Sequence, residues 1–540
     1  MPTIRSQGRG ETRPFAFLVS TTPCARGIRE RMGSAAYSYY FVLEAIAPLL
    51  EQFGTWRLID RPESRLPFAA ARAEAEGFRP VHLALNPPQD CYLSPTLPTI
   101  LFPFWEFPDV PDRDFGHDTR QDWARIAGRA DLIVAACRFT AAAFRRAGVS
   151  CPVAVVPIPV RAEDFAVPAW DPAHSWTIEA RHLVWGGEEA KPAAVPVPEA
   201  ATPGAPSWKR RLWERGRWAF RQVYPWLSPK MVARVSRVKR IVLKLLGKAP
   251  GEPRKSPGRV VYEALRNRYH FYIRRWLSPA AVAKVSAAKE AVLGALGRPP
   301  AVVNDPLLPR SPLTLSGLVY TSIFNLSDRR KNHLDMLSAF LLAFRDRPDV
   351  TLVIKAATNP TREFRELAIL REEYRSLGLE GHRCRVVVVT EFLDDAQMRE
   401  LLRSSTYYVN TSRAEGACLP LQQALASGRP AIAPGHTAMA DYMDEAVGFV
   451  PRMTPEPTFW PHDPERRLET TWGRLAWSDL HAKFLESATV AESDPRCYAA
   501  LSAAARGRLA GLAARGVCAD AFRRALEQLP DGPCALARAS

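Results

Sequence analysis

A chain of 540 residues, 47% hydrophobic and 10% aromatic, can bury the cores of two α/β domains and a further piece, which excludes a disordered protein. Its formal net charge of +17 points to an anionic partner, yet Trp208 to Arg298 alone holds 23 Lys/Arg against 4 Asp/Glu, so the basic character belongs to one insert. Nine scattered cysteines without a C-x-x-C argue against a disulfide frame or a zinc site and fit reduced thiols in a cytosolic protein.

Met1 to Thr12 is polar and lacks the apolar run of a signal peptide. No apolar stretch approaches the ~20 residues of a membrane span, so any membrane contact is expected to be peripheral. Phe15 to Ser20 is short, apolar and β-prone and reads as a first buried strand. A loop with Gly33-Ser34 separates it from a helix through Ala45-Ile46 and Leu49-Leu50. The glycine allows either a close backbone approach to a ligand or a plain turn. Val81 to Leu85 and Thr99 to Phe104 read as further strands, the second leading into Trp105-Glu106. A carboxylate there sits where open α/β sheets bind ligands, although it could also cap the next turn. Asp112-Arg113-Asp114 is a D-x-D that could hold a metal. It lies just ahead of a helix-like run over Gln121 to Ala127 and reads instead as acids near a helix start, so no metal is expected. Ala130 to Val134, a helix from Phe139 to Ala147 and the strand Pro152 to Pro157 follow.

The insert differs from the rest. A Pro/Ala-rich linker from Lys191 to Pro206 precedes, and a Pro/Gly-rich linker from Ala249 to Gly258 separates, two segments in constant register at fifty residues: Trp226-Leu-Ser-Pro229 recurs as Trp276-Leu-Ser-Pro279, and Leu246-Gly247 as Leu296-Gly297. Each Ser-Pro is a helix N-cap with an N1 proline. On the first repeat Met231, Val235, Val238, Val242 and Leu245 form a stripe surrounded by Lys and Arg. A basic amphipathic helix preceded by four tryptophans suits an anionic membrane surface, and a helical hairpin packed on its own copy is the alternative. No RNA- or DNA-binding motif accompanies the charge, so no nucleic acid is expected.

A second α/β domain begins at Leu318-Val-Tyr320, followed by a loop to Asn332 and an amphipathic helix through Phe344. Val350 to Lys355 and Arg385 to Thr390 are strands. Asp394-Asp395 reads as acids opening a helix. Tyr407 to Val409 is apolar and β-rich, and after it Glu415-Gly416 stand in a loop that enters a helix near Leu419-Pro420. Strand, loop and helix in that order point backbone N–H groups at an anion, so the place suits a phosphate joined to something bearing hydroxyls.

The stretch Asn410 to Asp441 resembles the signature of family 4 glycosyltransferases of the GT-B fold, E-G-(F/A)-G-L-P-x-x-E-A-(M/L)-A-x-G-x-P-(V/I)-(I/V)-A. Glu415-Gly416, Leu419-Pro420, Ala424, Gly428, Pro430 and Ala433 carry the match, and Gln423 departs from it where the family has its second glutamate. The loop from Thr321 to Asn332 resembles the family's G-R-L-x-x-x-K-(G/N): Lys331 matches the lysine, while Asn325 occupies the arginine position and Arg329 or Arg330 could supply the second cation. Residues 130–157 resemble the end of an N-terminal GT-B domain, with Cys137 in the usual serine position.

The resemblance implies two Rossmann-like α/β domains facing a cleft, with a basic helical insert between them. It places an acceptor-side domain at 1–183, the linkers and insert at 184–315, a nucleotide-sugar domain at 316–455, and a helical segment at 456–540 that crosses back to the first domain. It implies transfer of a sugar from a nucleotide-sugar donor to a glycan or lipid-linked acceptor with retention, in surface polysaccharide synthesis, without cofactor or obligatory metal. The setting would be the cytoplasm, peripheral on the inner face of the membrane. Lys331, Glu415 and Glu106 would be catalytic. Arg330, Asn325, Gly416, Ala417, Cys418, Leu419, Gln423, Phe392, Gly33 and Ser34 would line the donor site, Glu391-Phe392-Leu393 resembling the loop that reads the nucleobase. The changes at Asn325 and Gln423 leave two other readings open: a GT-B-like protein that binds a nucleotide sugar or acts as a scaffold, and a sugar-nucleotide epimerase.

Overall fold

A computed structural model describes residues 13–21, 32, 37–114, 118–187, 308–358, 362–461, 463 and 465–533. The insert over 208–298 and the pair Gly33 and Ser34 lie outside these residues.

The first domain is a parallel sheet in the order β2-β1-β3-β4-β5-β6. Its strands are β1 (Phe15–Ser20), β2 (Gly54–Leu58), β3 (Arg79–Ala84), β4 (Thr99–Leu101), β5 (Leu132–Ala135) and β6 (Val153–Val155). Strands covered on both faces read as continuous apolar runs, which is why Phe15–Ser20 and Leu132–Ala135 were legible. The connecting helices are α1 (Ser38–Leu50), α2 (Pro62–Ala75), α3 (Trp123–Ala127), α4 (Arg138–Arg146) and the single turn α5 (Ala162–Phe165). Helix α1 buries Tyr39, Val42, Leu43, Ile46, Leu49 and Leu50, a stripe of helical period facing the sheet.

The second sheet runs β14-β13-β12-β9-β10-β11-β7-β8. It contains β7 (Trp176–Trp185), β8 (Arg310–Leu315), β9 (Leu318–Phe324), β10 (Val350–Ala356), β11 (Arg385–Val389), β12 (Tyr407–Val409), β13 (Ala431–Ile432) and β14 (Gly448–Phe449). Its helices are α6 (His333–Ala343), α7 (Glu363–Ser376), α8 (Asp395–Ser404) and α9 (Leu419–Ala426). From β9 the chain steps outward through β10 and β11, then returns to β12 on the other side of β9. The order therefore reverses between β9 and β12, and a doubly wound sheet binds its ligand at such a reversal. Asp394 caps α8 by accepting from Gln397 N, with Gln397 reaching back in a capping box, so the acid there opens a helix as its position suggested.

Two boundaries differ from the sequence reading. The domain limit at 183 falls inside β7, which pairs antiparallel with β11 and with β8 and so belongs to the second sheet. The segment after 455, expected to be helical, begins with an antiparallel hairpin of β15 (Met453–Phe459) and β16 (Glu469–Leu475). Helices α10 (Trp477–Ser493), α11 (Pro495–Ala513) and α12 (Arg515–Leu526) follow. Helix α12 does cross back: Cys518, Ala519, Phe522, Ala525 and Leu526 complete the core around Phe17 and Val19 of β1.

Arg429 fastens the linker between the domains. It is fully buried, donating from Nε to Leu402 O at 2.8 Å and from Nη2 to Pro168 O at 2.6 Å and Arg403 O at 3.4 Å. Leu402 and Arg403 lie in the last turn of α8, where Leu402 O also accepts from the C-cap Ser405 N at 3.1 Å. Burial pushes the guanidinium down to about 10.

Candidate functional site

The loops after β9 and β12 meet at the reversal point, stitched by their own backbones. Arg413 N donates to Arg330 O at 2.8 Å, and Thr411 Oγ1 donates to Lys331 O at 2.9 Å and Asn332 O at 3.2 Å. The β9 loop closes on itself as well. Asp328 accepts from Arg330 N at 3.1 Å, and Asn332 takes a left-handed backbone with φ of 53° before α6. These contacts fix the directions of two of the three cations on the turn Arg329–Lys331, those of Arg330 and Lys331.

Both cations point at one carboxylate. Lys331 Nζ donates to Glu415 Oε1 at 2.6 Å, and Arg330 Nη1 lies 3.3 Å from Glu415 Oε2. Arg330 also donates from Nη1 to Ala414 O, and from Nη2 to Asp328 Oδ2 at 3.0 Å. Its Nε stands 3.4 Å from Glu106 Oε1, a residue of the first domain. So Lys331, Arg330, Glu415 and Glu106, four residues singled out from the sequence, form one ionic group. Only 5% of the Glu415 side chain is exposed.

Burial pushes the Glu415 carboxyl up, but Lys331 and Arg330 outweigh it and hold it at about 2. Burial depresses the Lys331 amine, and Glu415 more than offsets it, leaving Lys331 above its usual range. Burial raises Glu106; Arg330 opposes the rise while Asp328 and Glu415 add to it.

The helix start beside this group is held against the first domain. A Cβ on Gly416 would stand 3.3 Å from Trp105 N, a close approach that glycine makes easy. Cys137 Sγ reaches Gly416 O at 3.5 Å, and Tyr442 OH and Gln422 Nε2 donate to Ala417 O at 2.8 and 2.9 Å. Cys418, with φ of 56°, is the N-cap of α9, and Leu419 packs with Ala417 against the first domain's core. The backbone N–H groups of Gly416, Ala417 and Cys418 donate to no group among the described residues. Successive free N–H groups next to two cations suit an anion.

Three expected residues stand apart from the ionic group. Gln423 Nε2 points to Asp164 Oδ2 at 3.5 Å, in the single turn α5 of the first domain. Asn325 Oδ1 accepts from Ser327 N at 3.0 Å within its own turn. Phe392 packs with Met32, Ala357, Tyr37, Tyr40 and Phe41 in a small apolar cluster. Gly33 and Ser34 fall between Met32 and Tyr37, outside the described residues.

Several partners of the ionic group belong to no motif of the sequence. Asp328 orients Arg330, and its position two residues ahead is the signal of an Asx turn. Thr437 Oγ1 accepts from Glu415 N at 3.0 Å, and Ala438 N donates to Glu415 O at 3.2 Å, so the loop after β13 sets the glutamate's backbone. Asp441 accepts from Arg138 N and Nε, each at 2.9 Å, tying that loop to the start of α4. Among the described residues no group of three or more His, Cys, Asp or Glu side chains could hold a metal ion. Asp112, the first acid of the D-x-D, pairs with Arg113 at 2.9 Å.

Comparison with known proteins finds a family match within the second domain. Residues 317–456 match the family described as Glycosyl transferases group 1. No curated protein sequence matches this chain significantly. Among solved structures, Anabaena HepE in complex with UDP and glucose aligns with a TM-score of 0.44 at 12% identity, over 95% of this chain and 100% of that one. Sucrose-phosphate synthase from Thermosynechococcus elongatus aligns with a TM-score of 0.46 at 11% identity, over 95% and 99%. A glycosyltransferase from Rickettsia africae aligns with a TM-score of 0.45 at 10% identity, over 96% and 99%.

Proposed function

We propose, from the membership of residues 317–456 in the Glycosyl transferases group 1 family, that this protein is a GT-B enzyme. It transfers a sugar from a nucleotide-sugar donor to a glycan or lipid-linked acceptor, with retention at the anomeric carbon, in surface polysaccharide synthesis. The observation that carries the reading is the pairing of Lys331 and Arg330 with Glu415 where the second sheet reverses its order.

The roles follow from charge. As the glycosidic bond breaks, negative charge grows on the leaving diphosphate, and cations already fixed in place stabilise it without reorganising. Lys331 and Arg330 supply them, with the free N–H groups of residues 416–418 beside them. Glu415 faces the sugar's hydroxyls and the positive charge that develops on the ring. Glu106 approaches the same group from the first domain, the acceptor's side. Without donor, the lysine and glutamate neutralise each other; the donor's phosphate replaces one partner and its sugar meets the other. Release of nucleoside diphosphate that requires both donor and a lipid-linked acceptor tests the reading. Saturable donor binding without turnover would leave a binding protein, and donor conversion with no acceptor present would leave an epimerase.

Gln423 fills the position where a carboxylate would grip the ribose, and an amide accepts a hydroxyl's hydrogen bond more weakly. Gln423→Glu is expected to tighten donor binding. Burial pushes the neighbouring Asp164 up to about 6, so below pH 6 it is neutral and no longer repels the new carboxylate; the gain should be larger there. Calorimetry at two pH values checks this, and unchanged or weaker binding at both would refute it.

Peripheral contact with an anionic membrane is assigned to 208–298 on its composition, since these residues lie outside the described part. Among the described residues no helix is long and apolar enough to cross a membrane. Deleting 208–298 should abolish sedimentation with anionic liposomes at low salt, and undiminished sedimentation would contradict the assignment.

A further inference from the structure

A second polar site lies at the ends of β10 and β11, one strand further along the sheet. Lys355 occupies the sixth position of β10, V-T-L-V-I-K-A, every residue of which is buried; it is itself only 5% exposed. An ammonium group is costly to bury without a partner. Lys355 Nζ donates to Ala356 O at 2.9 Å, and no carboxylate lies within the 4.0 Å of an ion pair among the described residues. Two of its three donors are unspent, and burial pushes the amine down to about 8.

Lys355 lines a cavity together with Arg181, Glu363, Glu391 and Phe392, and with Met32 of the first domain. Glu363 is already engaged, accepting from Thr390 Oγ1 at 3.0 Å. Glu391 is held loosely, 3.6 Å from Arg181 and 3.4 Å from Arg310, and its buried Oε2 accepts no hydrogen bond. The cavity thus offers unspent donors on Lys355 and at the buried Nε of Arg181, an unspent carboxylate oxygen and an aromatic wall. Residues of its wall come near the ionic group. Tyr37 packs in one cluster with Met32 and Phe392, and its hydroxyl feels the charges of Lys331 and Glu415.

We propose that this cavity receives the base of the donor and selects guanine, an inference that rests on the donor-site reading given under Proposed function. Guanine presents O6 as an acceptor next to N1–H and the 2-amino group as adjacent donors. Lys355 donates to O6, and the two oxygens of Glu391 accept from N1–H and the amino group, a bidentate charge-assisted pair. The other bases fit this set poorly. In uracil a carbonyl flanks N3–H on each side, so a carboxylate that accepts from N3–H has its second oxygen against a lone pair. Adenine and cytosine place a ring-nitrogen lone pair beside the amino group, which repels the same oxygen. A site built to satisfy such groups discriminates sharply, because the wrong base leaves buried polar atoms unpaired.

Calorimetric titration of the full chain with GDP, inosine diphosphate, UDP, ADP and pyrophosphate tests the proposal. GDP should bind most tightly. Inosine diphosphate, which lacks only the 2-amino group, should bind about 10-fold more weakly, the worth of one hydrogen bond to a charged group. UDP and ADP should be weaker still. Lys355→Met keeps the volume and removes the buried charge, so the variant should fold, lose at least about 10-fold in GDP affinity and bind pyrophosphate as before. UDP binding as tightly as GDP, or inosine diphosphate equalling GDP, would overturn the base assignment alone. If none of the diphosphates nor pyrophosphate bound, the donor-site reading would fall with it.

Discussion

Lys331→Met is expected to lower kcat/KM for sugar transfer by about 10²–10³-fold, the loss typical when one preorganised group facing a developing charge is removed. The lysine matters more than an exposed ion pair would, because its partner is nearly dry. Stability should change in a defined direction too. The folded-state pKa of Glu415 lies at about 2, below the ordinary carboxylate range near ~4.3. A depressed carboxyl contributes stability that is fully present above the unfolded pKa and is lost as pH falls through the folded one. Without Lys331 only Arg330 holds the carboxyl down, so its pKa rises and the stabilisation from ionised Glu415 shrinks and begins to fade at higher pH. Steady-state kinetics and melting temperatures between pH 3 and 7 separate the two effects. A variant with near-normal kcat/KM would remove Lys331 from the proposed chemistry, whatever its stability.

Arg429→Met should destabilise the protein by about 2 kcal/mol, since Pro168 O and Arg403 O lose their donor in part-buried surroundings at about 1–3 kcal/mol each, while Leu402 O keeps the N–H of Ser405. Removing the desolvated charge returns part of that cost, which keeps the figure near the low end of the sum. Arg429→Lys should recover less than half of the loss, because one ammonium cannot reach both the end of α8 and Pro168 as the planar guanidinium does. Urea unfolding of the three proteins measures this. A Met variant as stable as the parent would mean that Arg429 is carried at the linker without holding it.

Much of the arrangement could be read from residues because it is local. The apolar run of β1, the helical stripe of α1 and the Asp394 cap each report on their own neighbourhood. The site loops were legible for a related reason: at a reversal point, two loops far apart in sequence each carry a strand–loop–helix pattern, and Lys331 and Glu415 stand within them. What escaped depends on distant partners. Strand β7 alternates Trp176, Ile178 and Ala180 with Thr177, Glu179 and Arg181, a strand pattern by any reading, but its assignment to the second sheet is decided by Val386 to Val389, some 200 residues later. The hairpin at 453–475 was hidden by Pro455 and Pro457, which suit an unpaired edge strand and look like a break in structure. Lys355 reads as the end of a strand because nothing next to it in sequence shows that its amine is buried.

Helix α12 also bears on how the molecule is made. The first sheet is translated within the opening 155 residues, but one side of its core is finished by Cys518, Phe522 and Leu526. A ribosome releases the chain from its amino end, so β1 must wait for a helix some 500 residues later before Phe17 and Phe53 have their ring partner Phe522. A variant truncated before Arg515 would leave that aromatic face uncovered. Of the two sheet domains, the one synthesised earlier thus needs the later helix to be completed.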